Sequence, residues 1–123
     1  MQLSVVGLDH FVLRVRDLDR SLAFYRDVLG LPIEFLEEYR AGGQLIDLVP
    51  DPNYDPEAGF LAGGFMHLCV RVKVSLAEAI PWLRERGITL IEDTPVPRMG
   101  ATGMGLSVYV RDPDDYIVEL KEE

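Results

Sequence analysis

Residues 10–15 of this chain read HFVLRV, and residues 67–72 read HLCVRV. Both stretches are short, apolar and rich in branched residues, which is typical of β-strands. The offset of 57 positions, from residue 10 to residue 67, also aligns Gly30 with Gly87, two glycines that follow helix-like segments. Because strand, helix and helix end recur in one register, the sequence predicts two tandem copies of one structural unit.

A helix is predicted after each of these strands. In the first copy Asp17 or Asp19 is the expected N-cap, and Gly30 ends the helix as a left-handed cap. In the second copy the corresponding residues are Ser75 and Gly87. Apolar residues recur at spacings of three and four, as a buried helical stripe requires; they are Leu22, Tyr25, Val28 and Leu29, then Leu76, Ala79, Ile80 and Leu83.

Strand-like runs follow each helix, and one proline interrupts the pattern. Pro81 lies beyond the first turn of the second helix, so we expect a kink or a helix that starts late. Asp115 is expected in a turn that needs a positive φ. The runs are at 33–39 and 44–49 in the first copy and at 89–92, 106–110 and 117–121 in the second. Each copy therefore approximates βαβββ, with the first copy one strand short.

The composition predicts one globular α+β domain over residues 1–123. We expect module 1 at about 5–52, a linker rich in Pro, Gly and acidic residues at 51–64, and module 2 at 65–123. The formal net charge of -9 would repel nucleic acid, and no basic cluster offsets it. Nucleic acid is therefore excluded as an expected partner.

The cysteine count and the hydropathy of the sequence indicate the cellular environment of the chain. Cys69 is the single cysteine, which excludes an intrachain disulfide and a thiolate metal cage. No apolar stretch approaches the roughly 20 residues of a membrane helix, and residues 1–4 carry no signal-peptide pattern. We therefore expect a cytoplasmic protein with no membrane partner.

The two histidines of the chain, His10 and His67, lie at equivalent points of the repeat. Alternation along a strand puts His10 on the face of Val12 and Arg14, and the second copy repeats this. Glu119 lies within an apolar strand, where burying an unpaired carboxylate costs several kcal/mol. Two imidazoles and one carboxylate around a divalent ion (Zn, Mn, Ni or Fe(II)) would leave positions open for substrate. A lone strand histidine is more often structural, so this hypothesis depends on the repeat.

Several motifs together resemble the vicinal oxygen chelate superfamily, which includes glyoxalase I, bleomycin resistance proteins and extradiol dioxygenases. They are LDHFVL at 8–13, Ser21, Phe24 and Tyr25, VLGL at 28–31, His67, YVRDPD at 109–114, and Glu119 with Leu120. The resemblance implies two βαβββ modules curled into a cup-shaped, mixed-sheet half-barrel around a divalent metal. It also implies that His10, His67 and Glu119 are the metal ligands.

Three further residues have roles that the resemblance suggests. Asp47 is the best match to the fourth ligand of the family, but it is equally compatible with a proton-transfer base or an exposed strand acid. The segment 97–103 is interpreted as a glycine-rich loop that can close over a substrate. Arg98 in this segment could bind a carboxylate or phosphate, or simply be solvated. Tyr109 could donate to a substrate oxygen or be a packing residue.

The first functional hypothesis is a metal-dependent lyase or isomerase. Its metal would chelate two oxygens of a small substrate while Asp47 or Glu119 moves a proton. The alternative is a metal-free small-molecule binding protein of the bleomycin-resistance kind. An extradiol dioxygenase is disfavoured because Ala101, Thr102 and Gly103 stand where that family has a histidine. A fosfomycin-inactivating enzyme remains open.

The resemblance also bears on assembly. Members of the family often pair modules across a homodimer, so we expect a homodimer. Pairing within one chain and pairing between two chains would both satisfy the repeat.

Overall fold

A computed structural model describes most of the chain. The described residues are 1–2, 4, 10–35, 38–41, 43–55, 67–92 and 94–123, and within these the side chains of 10, 11, 33–35, 38–41 and 45 are outside the description. The chain divides into two compact units, Met1–Tyr54 and Asp55–Glu123. The single-domain organisation over residues 1–123 stays a prediction.

Among the residues that the structure describes, each unit has one helical segment and four strands. The first unit contains β1 (His10–Val15), α1 (Leu18–Leu22), a π-helical segment (Ala23–Val28), β2 (Ile33–Phe35), β3 (Glu38–Ala41) and β4 (Gln44–Pro50). The second contains β5 (Leu68–Val72), α2 (Leu76–Glu85), β6 (Val96–Gly100), β7 (Gly103–Arg111) and β8 (Ile117–Glu122). The βαβββ order is therefore present twice.

The two sheets have the same topology. The strand order is β1-β4-β3-β2 in the first unit and β5-β8-β7-β6 in the second. In each sheet the first strand runs parallel to the last, and the other pairs are antiparallel. A helical connection between the first two strands of each mixed sheet is the arrangement of an α+β fold, so the predicted fold class is confirmed.

One face of each sheet packs against its helix. In β1 Leu13 and Val15 are buried while Val12 and Arg14 are exposed, as the predicted alternation requires. The predicted helical stripes are buried or half-buried. In the second unit the core between α2 and the sheet consists of Leu76, Ile80, Leu83, Val108, Val110, Val118 and Leu120. Side chains at alternate strand positions are thereby directed to the opposite face, which carries the candidate site.

Both helix starts are capped as predicted. Asp17, rather than Asp19, caps α1, and Ser75 caps α2; each accepts a hydrogen bond from the backbone N–H three residues later, at 3.3 and 3.2 Å. Gly30 and Gly87 follow the helical segments with φ of 74° and 72°, the left-handed conformation that glycine adopts without a Cβ clash. The cap residues therefore set both ends of each helix.

The first unit has one strand more than the sequence pattern suggested. The single predicted run at 33–39 is two strands, Ile33–Phe35 and Glu38–Ala41, which pair antiparallel with each other. The short connection between them, at 36–37, lies outside the described residues. Residues 36 and 37 include no Gly, Pro, Asn or Asp, so the sequence carries no turn signal there, which explains why the two strands read as one.

The second unit corrects two predictions. The run at 89–92 is not a strand: within it Leu90 forms an isolated bridge to Val110. The segment predicted as a glycine-rich loop is instead a hairpin, in which β6 pairs with β7 around a turn at Ala101 and Thr102. Pro97 and the glycines of segment 97–103 indicated a loop and not a strand. An edge strand, however, tolerates both residue types, because its outer side needs no hydrogen-bond partner.

The helices also differ in detail from expectation. After Leu22 the first helix continues with π-type bonding, and Leu29 N donates to Phe24 O at 3.0 Å. The wider turn brings neighbouring residues nearer to one face, so that Phe24 and Tyr25 are both buried. The second helix starts directly after Ser75 and continues through Pro81, so a late start is wrong. In the part of the chain that the structure describes, neither helix has the length and apolar character needed to span a bilayer.

Candidate metal and substrate site

Two of the predicted site residues belong to the first unit. His10 begins β1, where its backbone is paired with Leu45 of β4, and its side chain is outside the described part. Asp47 lies in the middle of β4 and is half-buried. Its Oδ1 atom is buried and has no hydrogen-bond partner among the described residues. A buried carboxylate oxygen without a hydrogen-bond donor costs free energy, so Asp47 is a position suited to binding a cation or a proton.

Asp47 and Glu119 occupy equivalent positions in the two sheets. Asp47 is paired with Val12 of the first strand, and Glu119 is paired with Cys69. Residues 12 and 69 are themselves related by the offset of 57 positions that relates the two histidines. Each sheet therefore carries one carboxylate at the same point of the strand that runs parallel to its histidine strand.

Glu119 and His67 form the centre of the site in the second unit. Glu122 on β8 accepts a hydrogen bond from Leu76 N of α2 at 2.6 Å, so the odd-numbered Glu119 faces the other side of the sheet. The Glu119 side chain is only 8% exposed, and its Oε2 lies 3.0 Å from His67 Nε2. His67 directly precedes β5 and is 39% exposed. The imidazole N–H can donate to the carboxylate, which offsets the cost of burying the charge.

Cys69 is a second partner of this carboxylate, one that the sequence had not suggested. Partial burial of its thiol, the negative charge of Glu119 and a hydrogen bond to that carboxylate together raise the pKa of Cys69 to about 11. The thiol is therefore protonated at neutral pH and donates to Glu119. The sequence did contain a signal for the place of Cys69 in the site. Cys69 follows His67 by two residues on one strand, and such residues share a face of the sheet.

Tyr109 and Arg98 extend the site on the next two strands. Tyr109 of β7 is paired with Glu119, and its ring meets the His67 ring edge-on at a centroid distance of 5.6 Å. Arg98 lies on β6, not in a loop, and its Nε–H donates to the Tyr109 hydroxyl oxygen at 3.2 Å. The tyrosine keeps its own O–H for a further acceptor. His67, Glu119, Tyr109 and Arg98 thus form a continuous chain of contacts.

The donor set in the second unit is compatible with a divalent metal. Two donor atoms that bind one tetrahedral zinc ion at about 2.1 Å each lie about 3.4 Å apart, and the imidazole and carboxylate atoms, 3.0 Å apart, are close to this separation. Across the described residues, no cluster of three or more His, Cys, Asp and Glu side chains is arranged to hold a metal ion. The His10 imidazole is outside that description. The second unit therefore supplies two suitable donors.

Comparison with known proteins assigns this chain to a family. The profile of the Glyoxalase/Bleomycin resistance protein/Dioxygenase superfamily matches residues 7–120. The glyoxalase domain-containing protein RDO1 of Mycosarcoma maydis is 38% identical over 123 residues, covering 97% of this chain and 69% of that protein. A lactoylglutathione lyase of Salmonella typhimurium is 29% identical, covering 92% of this chain and 90% of that protein.

A third relative has a solved structure. Virulence protein STM3117 of Salmonella typhimurium is 32% identical, covering 99% of this chain and 88% of that protein. Its crystal structure matches with a TM-score of 0.76 at 30% identity, over 98% of each chain. With a family profile that spans nearly its whole length and the same fold in a solved relative, this chain belongs to the glyoxalase, bleomycin resistance protein and dioxygenase superfamily.

Proposed function

We propose that the protein is a metal-dependent lyase or isomerase of the glyoxalase-like kind. Its substrate is a small oxygen-rich molecule that presents two neighbouring oxygens, and the reaction moves a proton at an adjacent carbon. A bound divalent ion would supply Lewis acidity that stabilises negative charge on the substrate oxygens. The observation that carries the proposal is the buried Glu119 carboxylate 3.0 Å from His67 Nε2.

In this proposal His10, His67 and Glu119 are the metal ligands. The His67 ring is oriented by its edge-on contact with Tyr109, and Glu119 can accept hydrogen bonds from His67 and Cys69. Such supporting contacts orient metal ligands and raise their affinity. His10 is included because it occupies the position in the repeat that His67 occupies in the second copy, and because the family resemblance implies it.

The remaining site residues act directly on the substrate. Asp47 carries an oxygen with no hydrogen-bond partner among the described side chains, which suits a proton acceptor or a fourth ligand. Tyr109 donates its O–H to a substrate oxygen, and the Arg98 guanidinium strengthens this donation by hydrogen bonding to the phenol oxygen. The name of the related lactoylglutathione lyase supports a lyase reaction on a small oxygen-rich compound.

Elemental analysis of untagged protein purified without added metal tests the proposal. We expect close to one divalent ion per chain in the wild type and near-complete loss in the double variant His10→Ala, His67→Ala. Arg14→Ala is a suitable control, since its side chain contacts Asp51 and Tyr54. No metal in the wild type, even after dialysis against zinc or manganese, would contradict the proposal.

A second candidate function is a metal-free binding protein. The observation in its favour is that His67 and Cys69 can both donate hydrogen bonds to Glu119, so side chains of the protein can satisfy this carboxylate. A binding protein would retain affinity for its small molecule in the double histidine variant, whereas the proposed enzyme would lose activity together with its metal.

A further inference from the structure

Lys121 is a buried cation on the same face of the second sheet as Glu119. It lies two residues further along β8 and is 3% exposed. In the sheet register it stands between Arg71 of β5 and Ser107 of β7. Residues directly paired across strands share a face, so this row of three lies beside the row that contains Cys69, Glu119 and Tyr109.

Two glycines leave room for the Lys121 side chain. A Cβ at Gly100 would lie 2.7 Å from Lys121 Cε, and a Cβ at Gly105 would lie 2.9 Å from Nζ. The side chain therefore lies across the faces of β7 and β6, and its ammonium donates to the Arg98 carbonyl oxygen at 2.6 Å. The absence of side chains at both positions allows the charge to be held within the sheet face instead of extending into solvent.

The buried ammonium forms no direct ion pair among the described residues. Its hydrogen-bond partner there is a neutral carbonyl, and no carboxylate of these residues forms an ion pair with it. Opposite Lys121 in register, Ser107 is fully buried, and its hydroxyl has no hydrogen-bond partner in the part of the chain that the structure describes. A buried charge without an ion and a buried hydroxyl without a partner both cost free energy.

We propose that Lys121 and Ser107 form a subsite for an oxyanion. A carboxylate, phosphate or phosphonate group would accept from the ammonium and the hydroxyl together, which resolves both costs with one ligand. Arg71, exposed at the neighbouring position of β5, adds positive charge at the edge of the row. In a protein of net charge -9, such a row is a local exception to the acidic composition.

The position of this subsite narrows the substrate class. Lys121 follows Glu119 by two strand residues, a distance of about 6.8 Å along the strand. If the proposed function holds, the substrate carries an anionic group several bonds away from the two oxygens that bind beside His67 and Glu119, because the ammonium lies beside Gly105 and the Arg98 carbonyl, beyond the Lys121 backbone. The anion subsite itself requires no metal, so it can be tested independently of that function.

Isothermal titration of metal-free protein with inorganic phosphate, and separately with acetate, tests the subsite at constant ionic strength in chloride. We expect saturable binding of at least one of the two anions, and the preferred anion distinguishes a phosphate or phosphonate group from a carboxylate. Lys121→Met should weaken this binding at least tenfold, and Ser107→Ala by about threefold to tenfold. The exposed Lys73→Met is the matched charge control and should change the affinity by less than twofold.

Gly100→Ala provides a variant that retains the lysine. The added methyl would displace Lys121 Cε, so anion affinity should fall at least threefold, whereas Gly43→Ala, which has no atom within 4 Å of the new Cβ, should leave it unchanged. Absence of binding in the wild type, or equal affinity in Lys121→Met and Lys73→Met, would overturn the subsite. A protein that binds metal but no anion would show that the subsite is wrong without contradicting the proposed function.

Discussion

At the residue scale, the Glu119 carboxylate affects the side chains that lie beside it. Glu119 is buried, its Oε2 lies 3.0 Å from His67 Nε2, and its charge and a hydrogen bond add to the effect of burial in raising the pKa of Cys69. The sequence indicated Glu119 as an acid in an apolar strand, and the structure places a histidine beside it. The spacing of Cys69 from His67 indicated a shared face of the sheet, but the contact of Cys69 with Glu119 could not be predicted, because it depends on the register between two strands that are distant in sequence.

Alkylation of Cys69 tests this local electrostatic arrangement. A rise in pKa from 9.0 to about 11 lowers the thiolate fraction at pH 8 by about two orders of magnitude, and the thiolate is the reactive form. Iodoacetamide should therefore react about 10-fold more slowly with the folded, metal-free protein than with the protein in urea, because the higher nucleophilicity of the more basic thiolate offsets part of its lower fraction. Glu119→Gln should accelerate the reaction, while Glu92→Gln should not. Equal rates in folded and unfolded protein would refute the arrangement.

The same shift has a consequence for stability. The folded state holds the Cys69 proton more tightly than the unfolded state does, because its pKa is raised. Its stabilising contribution is therefore complete below about pH 9 and is lost as the pH rises toward about 11.

At the scale of secondary structure elements, local signals predicted the helices better than the strands. Capping residues and left-handed glycines act within a few residues, so Asp17, Ser75, Gly30 and Gly87 could be identified from sequence. The β6–β7 hairpin was missed, because Pro and Gly usually disfavour strands and the hairpin forms through pairing of residues 96–100 with residues 103–107. Arg98 consequently lies on a strand, fixed in register opposite Gly105.

The two glycines that end the helices should be sensitive to substitution. Gly30→Ala and Gly87→Ala each force a Cβ into a φ above 70°, which should lower the free energy of unfolding by roughly 1–2 kcal/mol. Gly43→Ala is the control, because its added Cβ meets no atom within 4 Å and its φ is not in the left-handed region. Urea denaturation followed by circular dichroism measures the difference, and equal midpoints for all three variants would be inconsistent with these caps.

At the scale of the whole molecule, the repeat is the feature from which both the fold and the site were predicted. The offset of 57 positions correctly predicted two units, which prove to have identical strand order. Asp47 was identified from the family resemblance, and the strand register makes it the counterpart of Glu119. The repeat carries no information about Lys121 and Ser107, because their significance lies in burial and missing partners, which only three-dimensional packing reveals.

X-ray absorption spectroscopy of the untagged, zinc-loaded protein tests the proposed metal centre most directly. The chain contains two histidines, so imidazole scattering reports on His10 and His67 alone. We predict two imidazoles per zinc in the wild type and one in His67→Ala. A wild-type spectrum without imidazole scattering, or a His67→Ala spectrum that still contains two imidazoles, would contradict the account.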